Sequence, residues 1–396
     1  MNILFLYYSE IIPENGGVQR VTSVLTDYFE KKNNVVYYLS CKRNHQDLES
    51  NNRQFFLPNQ DDIYNLNNIQ FYIQFIKDKN IDIVINQAAH GGGLVTFCNF
   101  AKAHKNIKII SVIHNSLLGN VLNFTSSHAK QIDRLKLPFL NFLLTTSFFK
   151  KLLLALYILK YKKAYTLMYN SSDKVVLLSK GFFNELKSFV SDCDFSNLLA
   201  ISNPCTILEP IEDVNKINEI LYVGRIDVEQ KKVDLLLRIW EKIYKKHPNW
   251  SLSIVGDGIE RTKLENEAKK VGLERIKFYG QQNPVPFYER AKFFCMTSTY
   301  EGFGLVLLEA QTFGTIPIAF NSFASVGDIV KHDENGFLIQ SFDLGAYTNT
   351  LSLIMEDEEK TNIMSLNCKR SVKVFSVESI GRQWIDLFKE LLKDNG

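Results

Sequence analysis

The stretch Phe293–Phe320, FFCMTSTYEGFGLVLLEAQTFGTIPIAF, carries the reading of the fold. Phe293–Met296 is a short apolar strand, and Thr297–Gly304 is a polar turn bearing two glycines. Leu305–Phe313 has helical spacing, and Ile316–Phe320 is a second buried strand. Gly302 and Gly304 flank Phe303, so the backbone can turn tightly there and bring N–H groups close to a ligand. The helix that follows points the positive end of its dipole at the same place, which suits a phosphate. Glu301 stands just before the turn, and Glu309 follows eight residues later. At the rise of a helix these carboxylates lie roughly 10 Å apart along the axis. That span fits an extended sugar–diphosphate–ribose better than two carboxylates closing on one bond.

Around this unit the chain has 396 residues, too many for one ordinary core. Two domains of roughly 150–200 residues fit. A hydrophobic share of 45% and a charged share of 22% are those of a soluble globular protein. The net charge of +3 gives no argument for nucleic acid, and none is expected as a partner. Six cysteines are scattered without a C-x-x-C pair, which suggests neither zinc nor a disulfide framework and makes a reducing cytoplasm the expected home. The opening MNILFLYYSE has no basic region and no small-residue cleavage site, so it reads as a first buried strand.

From that strand the chain enters Pro13-Glu14-Asn15-Gly16-Gly17 and then a helical pattern, VQRVTSVLTDYFEKK. Strand, Gly-Gly loop and helix open a Rossmann-like half, although the full G-x-G-x-x-G is missing. VVYYLS, IDIVINQ, KIISVIHNS and KVVLLS read as further strands, with a polar insert around Arg43–Arg53 and a helix near Asn68–Lys79. His90-Gly91-Gly92-Gly93 and His114 fall at strand ends, where open parallel sheets place ligands. Leu208–Lys216 is acidic and proline-containing and reads as a linker. A second alternation begins at EILYVGRID and runs through WSLSIVGDG and IKFYG to the opening stretch. Val377–Lys393 has the pattern of an amphipathic helix.

One segment differs in composition. Ala129–Lys163 holds Lys130, Arg134, Lys136, Lys150, Lys151, Lys160, Lys162 and Lys163 against a single acid, Asp133. These are interleaved with leucines and aromatics, and Leu137–Phe149 is too short to cross a bilayer. The stretch suits either an anionic membrane interface or a packed helix pair with a solvated basic side.

The spacing Glu-x7-Glu in EGFGLVLLEA, followed by Gly314 and Pro317, resembles the signature of retaining glycosyltransferases of family 4. Gly224-Arg225, Lys231, the Gly256-Asp257-Gly258 turn and Phe278-Tyr279-Gly280 are similar to that family in the same order, with Lys232 where a glycine is usual. In the first half the likeness is looser, resting on Gly16-Gly17, His114 and Ile201–Cys205. The resemblance implies an α/β protein with two Rossmann-like domains facing a cleft, the type B glycosyltransferase fold. Residues 1–207 would bind the acceptor and 217–376 the nucleotide sugar, and the 377–396 helix would pack back on the first domain.

By the same resemblance Glu301, His114, Arg225 and Lys231 are the expected catalytic residues. Gly16, Gly17, Arg225, Lys231, Gly256, Tyr279, Gly302, Phe303, Gly304 and Glu309 are the expected donor contacts, with Glu309 on the ribose. Gly16-Gly17 is equally a plain tight turn on its own pattern. An arginine fork and a lysine can stabilise a departing diphosphate without a metal. Asp192-Cys193-Asp194 is a literal D-x-D but follows no apolar strand, so neither metal nor cofactor is expected. The implied reaction takes a hexose or N-acetylhexosamine from a UDP-sugar to a glycan or lipid-linked glycan, in the cytoplasm or at the inner face of the membrane. A nucleotide-sugar epimerase and a non-catalytic glycan- or nucleotide-binding protein are the alternatives on the same fold.

Overall fold

The computed structural model describes residues 1–45, 53–122, 146–190, 193–207 and 215–393. The chain forms two compact units. One comprises Met1–Leu117, Leu153–Thr206 and Phe375–Gly396; the other comprises Leu118–Leu152 and Ile207–Val374. The described residues 118–122 and 146–152 thus group with the second unit. The expected linker lies outside the described residues from 208 to 214.

The first unit is built on β1 (Asn2–Tyr7), β2 (Val35–Ser40), β3 (Gln54–Phe56), β4 (Ile83–Asn86), β5 (Lys108–Ile113), β6 (Lys174–Leu177) and β7 (Leu198–Ala200). All are parallel, in the order β3-β2-β1-β4-β5-β6-β7. Ile3, Leu4, Ile83, Val84, Ile109 and Ile110 are fully buried. Such continuous apolar runs suit strands covered by helices on both faces. The order reverses between β1 and β4, the place where a doubly wound sheet opens a crevice at the carboxyl ends of its strands. The edge strands β3 and β7 were not legible in the sequence, because three residues are too few to show a period.

The last helix, Val377–Lys393, belongs to this unit. Phe388 meets Phe29 edge-on at 5.3 Å, and the Tyr28 hydroxyl donates to Glu378 at 3.3 Å. Its apolar stripe of Ile380, Trp384, Leu387, Phe388 and Leu391 is buried, which is where the amphipathic spacing goes.

The second unit carries β8 (Ile217–Val223), β9 (Ser251–Val255), β10 (Ile276–Gly280), β11 (Ala291–Met296), β12 (Ile316–Phe320) and β13 (Phe337–Ile339). These too are parallel, ordered β10-β9-β8-β11-β12-β13, with the reversal between β8 and β11. The helix Val233–Ile243 buries Val233, Leu236, Ile239, Trp240 and Ile243 against this sheet's core. Trp250 stacks on Phe293 at 5.2 Å.

Candidate active site

In the second unit β8 and β11 end side by side at the point of reversal, and their turns are tied together. Thr299 donates its N–H to the Gln230 carbonyl at 2.7 Å. The Thr297 hydroxyl reaches the carbonyls of Lys231 and Lys232 at 3.0 and 2.9 Å, and Gln230 Nε2 donates to the Tyr300 carbonyl at 3.1 Å. Asp227 shapes the first of these turns. Its Oδ1 accepts the N–H groups of Glu229, Gln230 and Lys231 at 3.1, 2.7 and 3.0 Å, and its Oδ2 accepts Arg225 Nε at 2.8 Å. Burial alone would raise the Asp227 carboxyl, but the Lys231 N–H, Arg225 and the Gln230 N–H together hold it below the usual range. Gln230 Oε1 takes a second guanidinium donor, Arg225 Nη2, at 2.9 Å. Arg225 is therefore pinned along one edge while its side chain stays 61% exposed, offering the remaining N–H groups outward.

Lys231 and Glu301 come from these two turns and meet as an ion pair, Nζ to Oε1 at 2.6 Å, both largely buried. An ammonium group has three donors, so two remain for another anion. Lys232 occupies the left-handed region at φ 51°, ψ 44°, immediately before the helix Val233–Ile243. That conformation explains why glycine is the easier residue at this place. Lys231, not Lys232, is the lysine that reaches Glu301.

Of the two glycines expected to shape the turn after Glu301, Gly304 takes φ +92° and precedes the helix Leu305–Thr312. Gly302 has no left-handed backbone. Phe303 is buried, and the Ser325 hydroxyl binds the carbonyls of Gly302 and Phe303 at 3.3 and 3.2 Å. Glu309 lies on that helix, 1% exposed, and accepts the Tyr288 hydroxyl at 3.0 Å. Gly256 must be glycine because the turns after β8 and β9 touch: a Cβ there would stand 1.9 Å from the Gly224 carbonyl oxygen. Asp257 is held by Arg261 at 3.0 Å and by the Gly258 N–H at 2.7 Å. Tyr279 is half-buried, packed edge-on against Phe287 at 4.7 Å with Lys277 over its ring. Gln311 donates to the carbonyls of Ile329 and Asn335, as befits a structural residue.

In the first unit, Gly16 precedes the helix Gly17–Lys31 and its carbonyl accepts the Arg20 N–H at 3.0 Å. His114 directly follows β5 and Gln87 directly follows β4, the adjacent strand. His114 Nε2 is hydrogen-bonded to Gln87 Oε1, and its Nδ1 is buried without a partner among the described residues. Burial lowers the imidazole to a pKa of about 4, so the ring is neutral at pH 7. His90–Gly92 forms a single tight turn, with Gly92 close against Ala164. Asp194 closes a turn onto Ser196 at 3.1 Å, and Asp192 lies outside the described residues.

Asp227, Gln230, Thr297, Thr299, Gln87 and Tyr288 join these residues without belonging to any of the sequence motifs. An aspartate two residues after Arg225 in a turn is a signal for backbone capture and was open to reading. The threonines meet partners roughly seventy residues away, which no local pattern announces.

Both units are Rossmann-like, and the chain has the two-domain type B glycosyltransferase fold. The structure of HepE from Anabaena in complex with UDP superposes with a TM-score of 0.72 over 98% of this chain and 100% of that one, at 16% identity. Residues 208–371 match the family model of glycosyl transferases, group 1. An uncharacterized glycosyltransferase of Haemophilus influenzae is 33% identical over 216 residues, 54% of this chain and 60% of the relative. A Campylobacter jejuni alpha-1,4-N-acetyl-D-galactosaminyltransferase acting on a diphosphoundecaprenol-linked glycan is 28% identical over 222 residues, 56% of this chain and 58% of the relative. The matched segment thus spans a little under two thirds of each of these relatives.

Proposed function

We propose that the protein is a retaining glycosyltransferase that moves a hexose or N-acetylhexosamine from a UDP-sugar to a glycan or lipid-linked glycan acceptor in surface polysaccharide synthesis. The observation that carries this reading is the Arg225, Lys231 and Glu301 cluster at the reversal of the second sheet. As the bond from the anomeric carbon to the diphosphate oxygen breaks, negative charge grows on the leaving group. Lys231 and the outward edge of Arg225 are preorganised cations for that charge. The departing oxygen takes the acceptor hydroxyl proton while the hydroxyl oxygen bonds to the same face of the anomeric carbon, so configuration is kept. In this scheme Glu301 orients Lys231 and is assigned to the transferred sugar, and Glu309 is assigned to the ribose. Two side-chain cations suffice for the leaving group, so no metal is part of this mechanism. UDP in the Anabaena neighbour and the lipid-linked acceptor in the name of the Campylobacter relative support the substrate classes.

The test is incubation with a panel of UDP-sugars and a lipid-linked acceptor, with and without EDTA, followed by NMR of the product. UDP release with a product keeping the donor's anomeric configuration is expected, unaffected by the chelator. An inverted product, or interconversion of the UDP-sugar without any acceptor, overturns the proposal.

We further propose docking on the anionic cytoplasmic leaflet through the stretch Ala129–Lys163, of which residues 129–145 lie outside the described residues. The remainder opens the helix Ser147–Ser171. Phe148, Leu152, Leu156 and Leu159 are 77%, 44%, 54% and 68% exposed. At 100° per residue they fall on one stripe. Lys150, Lys151, Lys160, Lys162 and Lys163 are exposed around the same helix, whereas Tyr165, Met168 and Tyr169 near its end are buried. Lys151, Lys160 and Lys162 flank this apolar stripe, which suits shallow insertion among anionic headgroups. No helix among the described residues is long and apolar enough to cross a membrane.

A further inference from the structure

We propose that Thr22 and Gln87 are positioning residues that hold His114 in its Nε2–H tautomer, so that Nδ1 presents a bare lone pair to a hydroxyl or amide donor of a ligand at the carboxyl ends of β4 and β5. This rests on the reading of His114 as one of the catalytic residues of the proposed glycosyl transfer.

Hydrogen-bond direction fixes the tautomer. The Thr22 hydroxyl lies 2.8 Å from the Val18 carbonyl, which can only accept, so Thr22 spends its single proton there. Its oxygen is then left to accept, and the donor is Gln87 Nε2 at 3.1 Å. That contact turns the Gln87 amide so that its carbonyl oxygen faces His114. A carbonyl oxygen cannot donate, so the proton between the two residues sits on His114 Nε2. A neutral imidazole has only one N–H, and Nδ1 is therefore an acceptor. The depressed imidazole pKa of about 4 keeps the ring neutral, so the second proton does not arrive at working pH.

Nδ1 is buried and has no partner among the described residues. A buried acceptor without a donor is costly, and such atoms in folded proteins are the exception. Here the orphan belongs to the residue next to the carboxyl end of β5, and its neighbour Gln87 follows β4. Thr22 lies on the helix that opens at Gly16-Gly17. The relay thus links the first glycine loop's helix to the imidazole through two side chains that need not touch substrate. A ligand N–H or O–H aimed at Nδ1 satisfies the orphan atom; a ligand acceptor in the same place is repelled.

The experiment is long-range proton–nitrogen NMR of the full chain labelled with nitrogen-15 histidine, the His114 signals being assigned by their loss in His114→Ala. The expected wild-type spectrum shows Nε2 protonated and Nδ1 bare. Thr22→Val removes the acceptor that orients the amide, and Gln87→Met removes the amide; each should yield a mixture of tautomers. Each should also lower kcat/KM for the UDP-sugar by about tenfold, the worth of one hydrogen bond. A wild-type ring protonated on Nδ1 overturns the relay, as does a tautomer unchanged in both variants. A changed tautomer with unchanged kcat/KM overturns the positioning role. If a variant does not fold, the wild-type tautomer still decides the direction of the relay. The spectra need no substrate, so they are read independently of whether glycosyl transfer is detected.

Discussion

Lys231 Nζ stands 2.6 Å from Glu301 Oε1, joining a residue after β8 to one after β11 across the reversal of the second sheet. The two are seventy residues apart in the chain and share one buried contact. The pair couples the turn of Arg225 and Lys231 to the turn that opens the helix of Glu309.

Breaking this pair should separate stability from catalysis. Lys231→Met leaves Glu301 buried without its ion-pair partner and should cost about 3 kcal/mol in chemical denaturation. The double variant Lys231→Met, Glu301→Gln should recover most of that stability while remaining inactive. Recovery of activity in the double variant would show that the lysine serves the fold and not the diphosphate.

Lys232 pays for its left-handed backbone. Lys232→Gly should stabilise the protein by about 1 kcal/mol and leave turnover near wild type. Thermal denaturation and steady-state kinetics read the two effects. A large loss of kcat in Lys232→Ala with a silent Lys231→Ala would reverse the assignment of the phosphate lysine.

Glu309 is buried beside Tyr288, and its role on the ribose is tested by UDP titration. Glu309→Ala should weaken UDP by about 1.5–3 kcal/mol, the range for a hydrogen bond to a charged group. Tyr288→Phe keeps the carboxylate and should weaken UDP far less. Equal UDP affinity in Glu309→Ala and wild type removes Glu309 from the donor site.

Acid should destabilise the first unit through His114. Its imidazole in the fold has a pKa of about 4, below the ordinary value near 6.5. Between these values the unfolded chain binds the extra proton, so stability falls as pH drops from about 6.5 and levels off below about 4. The loss is on the order of 3 kcal/mol. His114→Asn should flatten the difference between denaturation at about pH 7 and about pH 4.5. Buried His247, whose imidazole is also lowered by burial, and the lowered carboxyls of Glu10 and Asp227 contribute to what remains.

Membrane docking should require anionic lipid and fade with salt, because headgroup attraction is screened within a Debye length. Vesicle flotation of the wild type should show binding to anionic vesicles at low salt. Replacing Lys150, Lys151, Lys160, Lys162 and Lys163 by Gln should release the protein while donor affinity stays intact. A wild-type chain that remains unbound under these conditions makes the exposed stripe a surface without this role.

Much of this protein is local and could be read from residues in order. Val377–Lys393 announced its helix through apolar spacing, because a helix buries one stripe whatever it packs on. Ile316–Phe320 announced a buried strand, and Gly256 a turn, for equally local reasons. Glu301, Glu309, Arg225 and Lys231 stood out through spacing and likeness to a family. The tertiary structure alone decided what these groups do to one another. It gave Lys231 and not Lys232 to Glu301, since the left-handed residue before a helix turns its side chain another way from its neighbour. It put Asp227 beneath three N–H groups and set Gln87 between Thr22 and His114. Hydrogen bonds across a parallel sheet join strand ends dozens of residues apart, and their direction depends on which partner has already spent its proton. No period in the sequence carries that information; only the folded arrangement does.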